Sequence, residues 1–454
     1  MQERGRNVET RRTLDRRPPA GIAAAARVGQ RPAVQRCGSI GAERLAALNA
    51  LCDCFRSAAL QYNPVNPVSL LQPASAGLLA AIVGFASSFA IVLQGFAAVG
   101  ATPAQAASGL MALCVVKGFL GAGLSLWTKM PVSIAWSTPG AALLVATGAP
   151  AGGYAYATGA FLLAAALIVA AGLWKPFGRA VAAIPASLAS AMLAGVLLGL
   201  CLAPVRAVAA LPWLALPIVV VWAVAWRFAR LYAVPVAVAV TAVLVFFATV
   251  LPDGALAHVR PDPVFILPAF SLAAAVSIAL PLFLVTMAAQ NVPGLAVLNL
   301  NGYRPDPAPI FVATGAASGL IALFGGHLIN LAAITAALCA GPEAHPDPAR
   351  RYIAAMTAGA AYVALGLAAS FAAAFVAASP PLLIQCVAGL ALLGSLAAAL
   401  TSALAREDER LPAILCFAVS ASGTSFFGIA APFWGLIAGG ALYGLARLRI
   451  KHGG

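Results

Sequence analysis

The sequence predicts an all-α polytopic membrane protein with about fourteen transmembrane segments. Three observations support this prediction: 62% of the 454 residues are hydrophobic, only 9% are charged, and no Asp or Glu occurs between residues 54 and 252. A soluble globular chain carries about 25% charged residues, so this composition could not cover a surface that faces water. The apolar runs also recur at close to the roughly 20 residues that a helix needs to cross a bilayer.

The first 56 residues differ from the rest of the chain. They contain 11 of the 27 basic residues, all of them Arg, and no apolar run of signal-peptide length before Cys54. We expect 1–56 to be a disordered basic tail in the cytoplasm; a transit peptide and an over-long start assignment are the alternatives. The net charge of +14 then belongs to this tail and to short loops, so nucleic-acid binding is not predicted.

The apolar segments begin at Pro73 and form two sets of seven. We predict a first seven-span repeat at 67–251, a second at 268–446 and a cytoplasmic tail at 447–454. The predicted segments are 73–99, 104–126, 131–148, 153–174, 184–203, 211–227, 231–251, 270–291, 307–326, 327–341, 350–377, 380–404, 411–425 and 431–446.

The loop charges agree with an even number of spans. If the N-terminus lies in the cytoplasm, thirteen Lys and Arg residues after residue 56 fall on the cytoplasmic side, and only Arg206 and Arg260 fall on the opposite side. Lys and Arg collect in the cytoplasmic loops of membrane proteins. Both termini are therefore predicted to be cytoplasmic.

The third and tenth segments are too interrupted to be continuous helices. The third reads MPVSIAWSTPGAALLVATG: the β-branched stretch 132–136 predicts extended backbone, and Ser137, Thr138 and Pro139 predict the cap and first turn of a short helix. The tenth reads GGHLINLAAITAALCAG, with a Gly pair, an apolar stretch at 327–331 and a second short helix whose start lacks the Ser–Thr pair. Interrupted segments at matching positions in two halves indicate a transporter binding site.

An internal repeat relates these two segments. A shift of 196 residues places Pro131 on His327, STPGAAL on AITAALC, and Gln94 on Gln290. Because an odd number of segments separates the copies, the two halves have opposite orientations in the membrane. Both short helices then begin near the bilayer midplane and face one another. Their unpaired N–H groups and partial positive charges predict a central cavity for a small anion.

Four strings occur in order along the chain: PVSIAWSTPGAALL, LPLFLVTMAAQNVPGLAVL, AAITAALCAGPEAHPDPARRY and FWGLIAGG. They resemble the benzoate:proton symporter (BenE-type) family of bacterial inner-membrane transporters, and the resemblance runs from about Pro67 to Ala446. It implies a fold similar to nucleobase and sulfate transporters, with two inverted seven-helix repeats sorted into a core and a gate domain. It also implies uptake of benzoate or a related aromatic acid with protons across the lipid bilayer; a homodimer is a possible assembly.

Other functions fit the same residues. Another small anion or a nucleobase suits the same architecture, and an anion channel would also contain broken helices. An enzyme is not predicted, because the predicted spans contain neither paired carboxylates nor a nucleophile with a base. We expect no cofactor and no metal.

Eight residues are the candidate substrate contacts. Ser137 and Thr138 either contact the anion or only cap their helix, and Trp136 either packs on an aromatic substrate or packs within the protein. Gln290 and Asn291 end the eighth segment and either line the cavity or cap that helix. The candidates are Gln94, Trp136, Ser137, Thr138, Gln290, Asn291, Asn330 and Thr335.

No Asp or Glu lies inside a predicted span, so a coupled proton needs another carrier or travels on the substrate. His327 lies within a span and has a suitable ordinary pKa, although a helix-boundary role is the alternative. Glu343, His345 and Asp347, which alternate in GPEAHPDPARR, are further candidates for the proton carrier, with a role in domain hinging as the alternative. Three prolines and two following arginines favour ion pairs over a metal site there. Lys117 lies in the middle of the second segment and either neutralises the substrate or extends toward a polar neighbour.

Overall fold

The computed structural model describes residues 67–182, 185–248 and 262–450, so the predicted tail at 1–56 lies outside the described residues. The described chain is mostly helical, as predicted. Its helices are α1 (Pro67–Ala86), α2 (Phe89–Ala98), α3 (Pro103–Thr128), α4 (Thr138–Thr147), α5 (Tyr154–Leu173), α6 (Lys175–Ala182), α7 (Ala186–Cys201), α8 (Ala203–Ala210), α9 (Pro212–Phe228), α10 (Ala233–Ala248), α11 (Leu272–Leu300), α12 (Pro307–Ala322), α13 (Ile334–Ala340), α14 (Tyr352–Leu367), α15 (Ala369–Ala378), α16 (Pro381–Ala403), α17 (Arg410–Ala421) and α18 (Ala431–Ile450).

Each predicted segment coincides with helical structure. Among the described residues, seven helical stretches are long and apolar enough to cross a membrane, and α14 with α15 forms a further span that is bent by 56°. The helices begin where the sequence supplies caps or proline. At α3, for example, the Thr102 hydroxyl accepts from Gln105 N, and Gln105 Oε1 accepts from Thr102 N at 2.9 Å.

The eighth segment is longer than predicted. We expected it to end near residue 291, before Pro293 and Gly294, but α11 continues to Leu300. Two π turns, Ala275–Ala279 and Met287–Asn291, interrupt α11, and each is followed two residues later by a proline. A proline lacks the N–H group and clashes with the preceding turn of an α-helix. A widened turn absorbs that clash, so the helix continues.

Two short strands form the centre of the fold. β1 (Ile134–Trp136) and β2 (Ile329–Leu331) pair antiparallel, with Ile134 opposite Leu331 and Trp136 opposite Ile329. α4 and α13 follow these strands directly. The prediction of broken third and tenth spans with short extended pieces is therefore confirmed. A second pair, β3 (Ser425–Phe426) and β4 (Ile429–Ala430), forms a hairpin before α18.

The helices pack in two groups. We name α1–α5, α11–α15 and the strands β1 and β2 the core body, and α7–α10 with α16–α18 the gate body. The larger hydrophobic cluster is centred on the core body and extends onto α7 and α16, and a smaller one joins α8, α9, α10 and α16. Antiparallel pairing of β1 with β2 is the arrangement that an inverted repeat would produce; the boundaries 67–251 and 268–446 stay a prediction.

Small residues bring α3 and α14 into close contact. A Cβ atom on Gly118 would lie 2.5 Å from the Gly359 carbonyl oxygen, and a Cβ atom on Gly359 would lie 2.5 Å from that of Gly118. Close backbone approach at small residues is the usual packing mode of helices in lipid, where apolar burial drives little association. Gly123 lies one to two turns further along α3, and a Cβ atom added there would have no neighbouring atom within 4 Å.

Alanine at these two glycines should therefore act in opposite directions. Gly118→Ala should lower the free energy of unfolding by about 1–3 kcal/mol, because the methyl group forces α3 and α14 apart. Gly123→Ala should leave stability unchanged or raise it by up to about 1 kcal/mol, because alanine restricts the unfolded chain. Thermal unfolding of the purified variants in detergent measures both changes. Equal melting temperatures for the two variants would contradict this packing.

Candidate functional site

The starts of α4 and α13 lie at opposite ends of the β1–β2 pair. The two helices run in opposite directions from the ladder, because each follows the carboxyl end of its own strand. The structure thus brings both helix starts to one strand pair, and their position at the middle of the membrane stays a prediction. Trp136, the last residue of β1, precedes the cap residue Ser137.

The two helix starts offer different hydrogen-bond donors. At α4, Pro139 has no N–H group and the Ser137 hydroxyl accepts from Gly140 N at 3.1 Å, which leaves the N–H and hydroxyl of Thr138 for a ligand. At α13, no side chain caps the helix start at Ala333. The donors of α13 are therefore its backbone N–H groups, as expected for a start that lacks the Ser–Thr pair.

Helix α11 contacts both broken spans. The hydroxyl of Thr286 lies 2.8 Å from that of Ser137, and Asn291 Oδ1 accepts a hydrogen bond from Leu331 N at 3.0 Å. Asn291 Nδ2 also donates to the sulfur of Met287 at 3.2 Å. The π turn Met287–Asn291 lies between these two attachment points. The side chain of Asn291 thus supports β2 by bonding to the backbone of Leu331, and Asn291 does not end a helix.

Several predicted contacts have polar groups without protein partners. Within the described ranges, buried Gln94 Nε2 and Asn330 Oδ1 have no hydrogen-bond partner, although Asn330 Nδ2 donates to Leu331 O at 2.7 Å. Gln290 and Thr138 are half-buried. A buried polar atom without a partner in a native structure usually has one in a ligand or in water. These groups are therefore the site's available contacts.

Trp136 is buried among protein side chains. Its indole N–H donates to Ser88 Oγ at 2.9 Å, and its ring meets Phe85 and Tyr362 in edge contacts with centroids 5.9 and 6.0 Å away. Lys117 Nζ lies 3.3 Å from the centroid of the Trp136 ring and 3.4 Å from that of Tyr362. We call Lys117, Trp136 and Tyr362 the aromatic cage.

The aromatic cage borders a small cavity. This cavity measures about 10 Å³, close to the space that one water molecule needs. Ser133 and Ile134 line it from β1 and the residue before it, and Thr335 and Cys339 line it from α13. Thr335 therefore lies on the side of Lys117.

The other proton candidates lie in two different places. His327 is fully buried between the rings of Phe96 and Phe161, with Nδ1 3.1 Å from Leu328 O and no partner at Nε2 within the described ranges. Glu343, His345 and Asp347 lie in the loop after α13 and are not brought to the strand pair.

The loop after α13 is held by backbone and ion-pair contacts. Buried Arg351 donates to the carbonyl oxygens of Ala340, His345 and Pro346, and Asp347 pairs with Arg350 at 3.7 Å. His345 Nδ1 accepts from Asp347 N at 3.0 Å. In the part of the chain that the structure describes, no three His, Cys, Asp or Glu residues are arranged to hold a metal ion.

A large cavity separates the core and gate bodies. It has a volume of about 810 Å³, within the range of roughly 300–1,000 Å³ that small-molecule sites occupy. Leu284, Met287 and Ala288 of α11 form its inner wall. The opposite wall comes from α7, α16 and α18, through residues such as Ala189, Ser402 and Leu436; Lys175 and Asp306 also line it.

Sequence reasoning missed three residues of this region. Thr286 stands in an apolar run, and only its spacing of four residues before Gln290 marks it as part of the same helix face. Tyr362 reaches the aromatic cage from α14, and Ser88 reaches it from the break between α1 and α2. No local motif indicates either of them.

Comparison with known proteins agrees with this architecture. The family model described as benzoate membrane transport protein matches residues 68–445. The chain is 42% identical over 379 residues to the inner membrane protein YdcO of Escherichia coli (strain K12), covering 84% of this chain and 96% of that protein. It is 33% identical over 368 residues to the benzoate membrane transport protein of Acinetobacter baylyi, covering 81% of this chain and 93% of that protein.

Two solved structures share the fold. The transmembrane domain of a cyanobacterium bicarbonate transporter, BicA, aligns with a TM-score of 0.52 and 16% identity, covering 83% of this chain and 99% of that domain. The structure of SLC26A9 aligns with a TM-score of 0.55 and 14% identity, covering 93% of this chain and 72% of that one. These likenesses concern the fold alone and confirm the predicted similarity to sulfate-type transporters. The chain belongs to the benzoate membrane transport protein family and is a multi-pass inner-membrane transporter.

Proposed function

We propose that this protein takes up benzoate, or a closely related aromatic carboxylate, together with a proton by alternating access. The observation that carries the proposal is the pairing of the two broken spans. α4 begins at the β1–β2 ladder, and α11, whose Thr286 holds the cap of α4, lines an apolar cavity of about 810 Å³. The name of the Acinetobacter baylyi relative supplies the substrate class.

The substrate's two parts suit two parts of the site. Its carboxylate is ionised at neutral pH, since a carboxyl group has an ordinary pKa near 4. The donors of Thr138 and the partial positive charge of the α4 start favour that anion. The aromatic ring fits the cavity wall of Leu284, Met287 and Ala288. The half-buried amide of Gln290 lies on the same helix, two residues after Ala288.

The large cavity is the access route to this site. In the predicted topology, the loops that hold Lys175 and Asp306 face the cytoplasm, so the cavity that these residues line would open to the inside. The cavity lies between the core and gate bodies, and relative movement of two such bodies is how transporters of inverted repeats expose one site to alternate sides.

The negative charge of the substrate is the reason to propose proton coupling. Bringing one negative charge into a cell with a negative interior costs about 2.3 kcal/mol per 100 mV of membrane potential. A proton that accompanies each carboxylate removes this cost. Uptake with one proton is therefore electroneutral and is driven by an inward proton gradient.

Purified protein in liposomes should take up labelled benzoate when the outside is more acidic than the inside. Uptake should saturate, and a proton ionophore should abolish accumulation. Uptake that survives collapse of the gradient would contradict symport, and ionic current without saturation would indicate an anion channel. Competition by uracil or sulfate, without competition by 4-substituted benzoates, would indicate a nucleobase or another anion as substrate.

The contact between Thr286 and Ser137 should matter for binding. Thr286→Val keeps the side-chain shape but removes the hydroxyl that holds the start of α4 against α11. We expect a fall in benzoate affinity of about tenfold, corresponding to the roughly 1.5 kcal/mol of a buried hydrogen bond. Thr147→Val at the other end of α4, where the hydroxyl bonds only to Leu143 O, is the matched control. Isothermal titration of both variants measures the difference, and equal affinities would exclude this contact from the site.

Filling the large cavity should block transport without unfolding the protein. Ala288→Phe places a ring in the cavity wall and should reduce uptake at least tenfold. Ala296→Phe, two turns further along α11 at an exposed position, is the control and should leave uptake near that of the wild type. Size-exclusion profiles verify that both variants fold. Normal uptake by the Ala288→Phe protein would show that substrate does not pass this wall.

A further inference from the structure

Lys117 is a fully buried lysine at the centre of the core body. It lies in the middle of α3 with 1% of its surface exposed, and its Nζ atom contacts the ring faces of Trp136 and Tyr362. The aromatic cage joins three elements, because Trp136 ends β1 and Tyr362 belongs to α14. A charged group at this depth in a membrane protein is costly and usually functional.

No carboxylate neutralises Lys117 within the described ranges. The ion pairs found there belong to loop residues, namely Asp347 and Glu407 to Glu409. The titratable groups near Lys117 are Cys114 on α3, Cys339 on α13, Tyr362 on α14 and His327 before β2. None of these is a carboxylate, and the two ring faces supply the attraction that the structure shows.

One residue, Trp136, connects the aromatic cage to the predicted anion site. Trp136 contacts Lys117 through its ring and is followed directly by Ser137, the cap of α4. The residue that Lys117 contacts and the positive end of α4 are thus adjacent in the chain, and a charge on Lys117 is unfavourable there while no anion is bound. A bound carboxylate reverses this balance, because it attracts both the helix start and the ammonium.

We propose that Lys117 is the proton-coupling residue of this transporter, with its ammonium charged while the carboxylate is bound and its amine neutral while the site is empty. This inference rests on the proposed function. When the binding of one ligand favours the binding of another, thermodynamic linkage requires the reverse effect to be equal. The anion therefore favours protonation of Lys117, and protonation favours the anion.

The proton balance of one cycle is simple. On the outer side, the Lys117 amine takes one proton from water as one carboxylate binds, and the loaded site is neutral overall. On the inner side, the carboxylate leaves, the ammonium returns the same proton to water, and the neutral amine goes back. No covalent bond or redox change is involved. The cavity of about 10 Å³ next to Lys117, with Ser133 and Thr335 in its wall, gives one water molecule access to the amine.

Substitution by Arg separates coupling from binding. A guanidinium keeps its charge but does not release its proton in proteins. In liposomes, Lys117→Arg should therefore retain exchange of external labelled benzoate for internal unlabelled benzoate to within about threefold, because exchange uses only the loaded site. It should lose accumulation driven by a proton gradient at least tenfold, because the empty site keeps a charge. Lys117→Met should lose both activities.

Lys129 provides the matched control. Like Lys117, it contacts an aromatic ring, that of Tyr352 at 4.7 Å. Unlike Lys117, it caps the end of α3 rather than lying in the middle of the helix. Lys129→Arg and Lys129→Met should keep proton-driven accumulation near the wild-type level. Melting temperature and size-exclusion profile establish that each variant folds.

The outcomes distinguish the two proposals. Proton-driven accumulation at the wild-type level by Lys117→Arg or Lys117→Met overturns the assignment of Lys117 alone. A folded Lys117→Arg protein that loses exchange and accumulation together shows a purely structural cation, and it also overturns the assignment. A wild type that transports no benzoate in either assay overturns the proposed function, and the assignment with it.

Discussion

The structure depends on the hydrogen-bonded pairing of β1 with β2 in the middle of the membrane-spanning region. Lipid offers no hydrogen bonds, so interrupted backbone at this depth must be satisfied by protein. The ladder is extended by Ser137 N donating to Leu328 O at 3.0 Å and Ala332 N donating to Ser133 O at 2.9 Å. Without this pairing, neither broken span could end its extended piece and start a helix at this position.

Side chains from three surrounding helices complete the pairing. Ser125 of α3 donates to Val132 O at 3.2 Å, and Ser318 of α12 accepts from Ile329 N at 2.9 Å. Asn291 of α11 accepts from Leu331 N. These polar residues stand in otherwise apolar helices because the open edges of a two-stranded ladder need partners. Among the described residues, the buried polar atoms Gln94 Nε2 and Asn330 Oδ1 have no hydrogen-bond partner, and they are therefore candidates for contact with a substrate.

The sequence was enough to predict the broken spans, but not their surroundings. Ser137, Thr138 and Pro139 follow a β-branched stretch, and this local pattern predicts a strand that passes into a helix. The prediction from Pro293 and Gly294 was wrong: they indicated a helix end, but the π turn before them lets α11 continue. The aromatic cage was beyond prediction, because Lys117, Trp136 and Tyr362 meet only through the packing of α3 on α14 at Gly118 and Gly359.

The same contacts indicate which elements form one unit of the core body. Helix α11 holds α4 through Thr286 and β2 through Asn291, so the two broken spans and α11 form one unit of the core body. Lys117 belongs to this unit too, because Trp136 ends β1. The wall of the large cavity opposite α11 consists of gate-body residues such as Ala189 and Leu436. A change of access that moved these walls apart would keep the proposed anion contacts and Lys117 together, as the proposed transport of a proton with each carboxylate requires.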